Sequence, residues 1–233
     1  MAIRAARGYR TMSYEAACVL VGSIPWDIEA SALASLFYWR EEALARGLRP
    51  APREIEVRRS ELRQRSIDEW ALRLEQPSFG VRTVEAVRPV LSQWLARQHG
   101  LLTFRLTQVL SGHGCFGGYL CRIARREPSA VCHHCDDCAD GDAQHTLEGC
   151  PAWAEERAEL CAVVGDDLSL PTVVKAMVES ETSWNAVQAF AEQVMLSKEA
   201  AERERENTTD LAIRRRRTGR RRRAYGLHLQ PPQ

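Results

Sequence analysis

Residues 131–153 read VCHHCDDCADGDAQHTLEGCPAW, and how this stretch folds governs how the chain around it is organised. Four of the eight cysteines (Cys132, Cys135, Cys138 and Cys150) fall within it, along with the histidines His133, His134 and His145. A tetrahedral Zn2+ site needs four soft or borderline ligands, and short loops let pairs of ligands close on one ion. Cys132 and Cys135 are two residues apart, so a tight turn presents both thiolates. His145 and Cys150 are four residues apart and reach the same ion if a helical turn links them. The spacing Cys132-x2-Cys135-x9-His145-x4-Cys150 is therefore that of a zinc knuckle. Four ligands leave no open position, which points to a structural Zn2+ and not a hydrolytic one. Such an ion would supply folding energy to a segment too small to bury a core. Cys135-x2-Cys138 makes an equally good thiolate pair, so Cys138 is a rival ligand, and His133 and His134 are in range. The bland alternative is a set of free cysteines in an acidic loop, since Asp136, Asp137, Asp140, Gly141 and Asp142 form a polar connector.

Outward from the cluster the hydrophobic pattern is helical, and no convincing run of strands or internal repeat interrupts it. Towards the N-terminus, Ser13 caps a short predicted helix running to Gly22. A second is expected from Asp27 to Gly47, burying Leu33, Leu36, Phe37 and Leu44, before a Pro50-Ala51-Pro52 break. A third, from Glu54 to Glu75, places Ile67, Trp70, Ala71 and Leu74 on one face. Val87, Val90, Leu91, Trp94 and Leu95 mark a fourth, with Pro89 tolerable only in its first turn. Leu106, Val109 and Leu110 also have helical spacing, interrupted by Ser111-Gly112-His113-Gly114, with a basic helix expected over Phe116–Arg126. Towards the C-terminus, Pro151 starts a helix carrying Trp153, Leu160 and Cys161. Pro171 opens a long final helix with Met177, Trp184, Val187, Phe190, Ala191, Val194 and Met195 on its apolar face. Its KEAAERERE end is nearly all charged, so its packing is expected to stop before Glu199. The fold class is mainly α: a helical domain with a small CCHC zinc knuckle and a disordered basic tail. The divisions expected are 1–100 helical, 101–128 linker and basic helical segment, 129–152 knuckle, 153–206 C-terminal helices and 207–233 tail.

That tail makes the overall charge misleading. The chain has 233 residues, 32 Lys+Arg and 31 Asp+Glu, a formal net charge of +1. Arg214, Arg215, Arg216, Arg217, Arg220, Arg221, Arg222 and Arg223 all lie in one run, and 214–233 contains no acid. The first 213 residues thus hold 24 basic against 31 acidic side chains, an acidic body joined to a cationic tail. Eight guanidinium groups would bind phosphates in a salt-dependent way without base specificity, and the same run fits a nuclear import signal. Alone, it reads as a solvated tail. No apolar run approaches the ~18 residues of a membrane span. The N-terminus lacks a secretory signal, so a reducing compartment is the default, where clustered Cys/His favours metal over disulfides.

Other motifs carry less. His113 lies between two glycines, with no serine or cysteine nucleophile paired to it. Ser111-Gly112-His113-Gly114 lacks the Gly-Lys-Ser/Thr ending of a phosphate loop. The six tryptophans mostly fall on helix faces as core anchors, and Asp166-Asp167 beside Gly165 has no metal partner in view.

Several runs together resemble the Pol protein of non-LTR retrotransposons. Tyr9-Arg10-Thr11, Ser13, Glu15-Ala16-Ala17 and Gly22 to Pro25 resemble the region after the polymerase core. Leu106-Thr107-Gln108, Ser111 to Gly114, Phe116 and Tyr119-Leu120 look like the segment before the cysteine motif. Cys132, Cys135, His145-Thr146-Leu147, Cys150-Pro151 and Trp153 are similar to the motif itself. The match is to the C-terminal region of the second open reading frame of type-1 ribosomal-DNA R elements, and it covers nearly the whole chain. In that family an apurinic-type endonuclease nicks target DNA and a reverse transcriptase copies element RNA from the nick. The resemblance thus implies a nuclear piece of a multidomain Pol, its cysteine motif helping to hold nucleic acid, with RNA or DNA and the upstream polymerase domain as partners. This sequence has no Tyr/Phe-x-Asp-Asp polymerase box and no recognisable endonuclease carboxylate–histidine set. The competing expectations are a DNA-nicking endonuclease using His113 and carboxylates near the knuckle, and a structural or oligomerisation module that uses the Trp184–Met195 face.

Overall fold

The apolar periodicity is realised as helices throughout. A computed structural model describes residues 2–135, 138–210 and 213, and no strand occurs among them. The arginine run 214–223 and the Asp136-Asp137 pair lie outside the described residues. In chain order the α-helices are α1 (Ala2–Ala5), α2 (Tyr14–Val21), α3 (Trp26–Ala45), α4 (Pro52–Arg73), α5 (Val81–Val87) and α6 (Leu91–Ala96). They continue with α7 (Phe104–Ser111), α8 (Gly117–Arg122), α9 (Ala143–Glu148), α10 (Ala154–Val164), α11 (Leu170–Glu179) and α12 (Glu181–Thr208).

Local chemistry sets most of these boundaries. The Ser13 hydroxyl accepts from the Ala16 N–H at 3.1 Å and Gly22 closes α2 in the left-handed region, as the sequence predicts. Thr103 caps α7 in the same way. Glu54 reaches back to the Ala51 N–H at 2.7 Å, half of a capping box at the start of α4. Pro89 behaves differently from expectation. The helix begins earlier, at Val81, and the missing proline N–H leaves a 3-10 turn (Arg88–Val90) between α5 and α6. The final helix is also two helices. Ser180 takes an extended conformation and its hydroxyl accepts from the Thr182 and Ser183 N–H groups, ending α11 and starting α12.

One buried cluster runs from Ala6 to Met195 and includes Cys132 and Cys150. The short helix α7 is among its most enclosed parts, with Leu106, Thr107, Gln108, Val109 and Leu110 all nearly inaccessible. It packs on α12, and α12 in turn on α10 and α11, while α5 joins α2 to α11. Trp94 and Trp184 meet in the centre with ring centroids 5.4 Å apart, and Trp94 Nε1 donates to the Leu20 carbonyl at 3.1 Å. Gly100, at φ +78, leaves the space this pair needs, since a Cβ there would fall 2.2 Å from the Trp184 ring.

The α3–α4 hairpin departs from the expected burial. Leu36 is buried, but Leu33, Phe37 and Leu44 are more than half exposed. Helical spacing identified a face; α4, whose outer turns are mostly charged, covers only part of it. Ile67, Trp70 and Leu74 do enter the core, as their spacing predicts. No single helix among the described residues is long and apolar enough to cross a membrane.

Candidate metal centre

The loop after α8 carries two of the cysteines and α9 carries the rest of the site back to them. The Asp142 carboxylate accepts from the His145 N–H at 2.7 Å, capping α9 and fixing His145 in its first turn. One turn later the Cys150 N–H donates to the His145 carbonyl at 2.7 Å, so the two ligand candidates share a side of the same turn. The loop folds onto them through Gly141, whose N–H donates to Ala130 O at 2.7 Å, and through the Cys132 N–H on Cys138 O at 3.1 Å. Gly141 cannot carry a side chain here, because a Cβ would lie 2.6 Å from the Cys132 Cα.

Cys132, Cys135, His145 and Cys150 converge, with one ligand atom from each lying within 4.8 Å of every other. Cys132 Sγ is 3.8 Å from Cys150 Sγ, and Cys135 Sγ is 3.3 Å from His145 Nε2. Cys132 and Cys150 are buried, while the other two are half-buried. Cys138 is not part of the group; its thiol turns to the Asp140 carbonyl at 3.1 Å. His133 faces Glu127 at 3.5 Å, and His134 packs its ring on Trp153 with centroids 5.0 Å apart. Among the described residues no other set of three or more Cys, His, Asp or Glu side chains converges in this way.

Charge decides what such a group can hold. Burial opposes ionisation of Cys132, but the His134 N–H, the Lys198 ammonium and the neighbouring thiols together draw it below the ordinary thiol value. Burial raises Cys150 well above that value, and the adjacent Cys132 adds to the effect. Burial, reinforced by Lys198, lowers His145 and keeps its imidazole neutral, the form that ligates. A dication with three thiolates and one neutral imidazole has a net charge of −1. That anion needs a counter-charge in a buried setting, and Lys198 supplies one. It is 2% exposed, with Nζ 5.5 Å from the Phe116 ring and 5.8 Å from Trp153; burial lowers its pKa, and the Cys132 and Cys150 sulfurs are the first of the groups that favour its charge. The donor set and its surroundings therefore fit a Zn2+ ion.

Lys198 opens the charged KEAAERERE run, where packing is expected to stop before Glu199, and nothing in the sequence marks it as part of the site. Burial in fact continues: Glu202 is 7% exposed, and Arg105 pairs with Glu192 and Glu199 at 2.9 and 3.0 Å. Arg126 pairs with Glu206, and Arg205 with Glu202 at 2.7 Å. The signal was present as the continuation of the Val187, Ala191, Val194 and Met195 stripe to Lys198 and Glu202 at intervals of three and four. It was obscured because those two positions are charged. His113, the other candidate, is structural in its contacts. Its Nδ1 is 3.0 Å from the Ser111 carbonyl and its ring packs on Tyr119 at 5.1 Å.

With known proteins, the chain shows 30% identity over 195 residues to a protein described as Retrovirus-related Pol polyprotein from type-1 retrotransposable element R1 4 of Nasonia vitripennis. No family model matches the chain, and no solved structure does. The similarity covers 79% of this chain and 47% of that protein, so the chain spans about half the length of the curated relative. Fold and site define a helical domain with a candidate metal centre. More particularly, the chain belongs with the Pol proteins of non-LTR elements of the type-1 R class, as its motifs had indicated.

Proposed function

We propose that this chain is a zinc-stabilised, nucleic-acid-binding part of a retrotransposon Pol protein that acts in the nucleus in support of target-primed reverse transcription. The observation that carries the reading is the closure of Cys132, Cys135, His145 and Cys150 into one tetrahedron-sized group beside a buried cation. When bound, Zn2+ would cross-link the loop to α9 and compensate three thiolates that could not otherwise all be ionised in this setting. The chain's own residues do the rest. Asp142 orients α9, Gly141 lets the two backbones meet, and Arg157 donates to the Leu147 and Cys150 carbonyls, holding α10 against the site. The kinship with Pol and the run of arginines at 214–223 support nucleic acid as the partner, with the polymerase of the same polyprotein as neighbour.

Two measurements test this. Protein purified without added metal should contain one equivalent of zinc, with Cys132, Cys135 and Cys150 unreactive to thiol reagents until a chelator is added. No metal, together with freely titrating thiols, would remove the zinc from the proposal. Affinity for single-stranded RNA and for nicked duplex should fall steeply with salt and drop when 214–233 is deleted. An unchanged affinity and salt slope on deletion would remove the tail as a phosphate contact.

A further inference from the structure

Arg97 is half-buried in an unusual way for a guanidinium. It follows the last residue of α6 and lies over the core tryptophans, 4.0 Å from the Trp94 ring centre and 5.1 Å from that of Trp184. Its Nη1 donates to the Trp94 carbonyl, while its Nε is inaccessible and has no hydrogen-bond partner. Burial alone pulls its pKa down to about 10, and no carboxylate among the described residues acts against that pull. By contrast, Arg105, Arg126 and Arg205 each have a glutamate. Arg97 also lines an open pocket of about 380 Å³ with Gln98, His99 and Gly100, and no acidic side chain is among the lining residues. His99 is held in place there, its Nε2–H donating to the Met177 carbonyl at 2.9 Å and its ring edge-on to Trp184.

A half-desolvated cation with no carboxylate partner, lining a pocket free of acids, is what an anion site looks like before its ligand arrives. With Nη1 on the Trp94 carbonyl and Nε inaccessible, the guanidinium offers a phosphate its remaining N–H groups, a single charge-assisted contact and not a two-pronged fork. From this we infer that Arg97 and its pocket form a seat for one backbone phosphate of bound nucleic acid, separate from both the metal centre and the arginine run. Trp94 and Trp184 are wholly buried, so they support the guanidinium and do not stack on bases. The site rests on the nucleic-acid reading above and gives it a location on the folded body.

The test uses the full chain. Binding of a labelled single-stranded RNA and of a nicked duplex is followed from about 50 to 200 mM salt for the wild type and for Arg97→Met, which keeps an unbranched chain on the tryptophans. One lost phosphate contact reduces the slope of log affinity against log salt by about 0.9 on duplex or about 0.7 on single strand, and weakens binding severalfold on both ligands alike. Arg40→Met, on the exposed face of α3, changes neither by as much. If Arg97→Met binds with the wild-type slope, or if Arg40→Met matches its loss, the seat is refuted. If the wild type binds no nucleic acid at all, the broader proposal fails first, and that is a different result. Should Arg97→Met not fold, the Nε–Hε resonance of Arg97 in the wild type decides. It should shift on titration with the oligonucleotide at far lower concentration than with inorganic phosphate. A shift with inorganic phosphate alone overturns the backbone assignment, and no shift with either overturns the site.

Discussion

Replacing Lys198 by methionine changes a buried charge while nearly preserving length and shape, and its effect should differ in sign between metal-free and metal-loaded protein. In the loaded state the ammonium faces a centre of net charge −1. For unit charges on the order of 6 Å apart in an effective dielectric of about 20, the attraction is roughly 3 kcal/mol. Its loss corresponds to about 100-fold in metal affinity, the upper end of what a residue behind the ligands contributes. In the metal-free state the same ammonium is 2% exposed among aromatic rings and thiols. Removing it there relieves a desolvation cost, so the metal-free variant should be at least as stable as the metal-free wild type. Competition with a chromophoric chelator at fixed pH reads the affinity, and thermal unfolding with and without chelator reads the two stabilities. The two results should move in opposite directions. A parallel loss in both states would mean that Lys198 only fills space, and an affinity within about threefold of wild type would refute the charge argument altogether. A companion variant sharpens the case. Cys135→His makes the centre neutral with a dication, so Lys198→Met in that background should leave metal affinity nearly unchanged.

The remaining predictions concern the frame of the site and of the core. Gly141→Ala forces a methyl to within 2.6 Å of the Cys132 backbone, so the loop must shift. It should weaken metal binding at least tenfold while far-UV circular dichroism stays helical, and wild-type affinity would show that the loop relaxes freely. Ser13→Ala removes the cap of α2 and should cost about 1 kcal/mol in chemical denaturation, with no change in metal affinity. Trp184→Ala should cost about 3–5 kcal/mol, because it empties the space between α6, α12 and the Gly100 turn. A loss below about 1 kcal/mol would show that the core closes over the gap.

What this sequence determined alone was whatever depends on neighbours a few residues away. Ser13 and Gly22 bracket α2 because caps act on the nearest turn. The four converging side chains were legible because a two-residue and a four-residue spacing are each able to bring two side chains to one ion. The kinship with retrotransposon Pol was legible for the same reason, being carried by short runs of residues. Cys138 shows the limit: by spacing it rivals Cys132, and only the fold, through the Gly141–Ala130 contact and the Asp140 carbonyl, sets it aside. Leu33, Phe37 and Leu44 show it again, since a helical stripe says where burial is possible but not whether another element arrives to cover it. Lys198 and Arg97 were beyond reach for a deeper reason. A charged residue is expected at the surface unless its partner is known. The sulfurs that favour the Lys198 charge lie 48 or more residues away, and of the two rings under Arg97 only Trp94 is near in sequence, Trp184 being 87 residues off. Those pairings exist only once α12 has packed beside the knuckle and against α6, because electrostatics and packing act through space while a sequence records order along the chain.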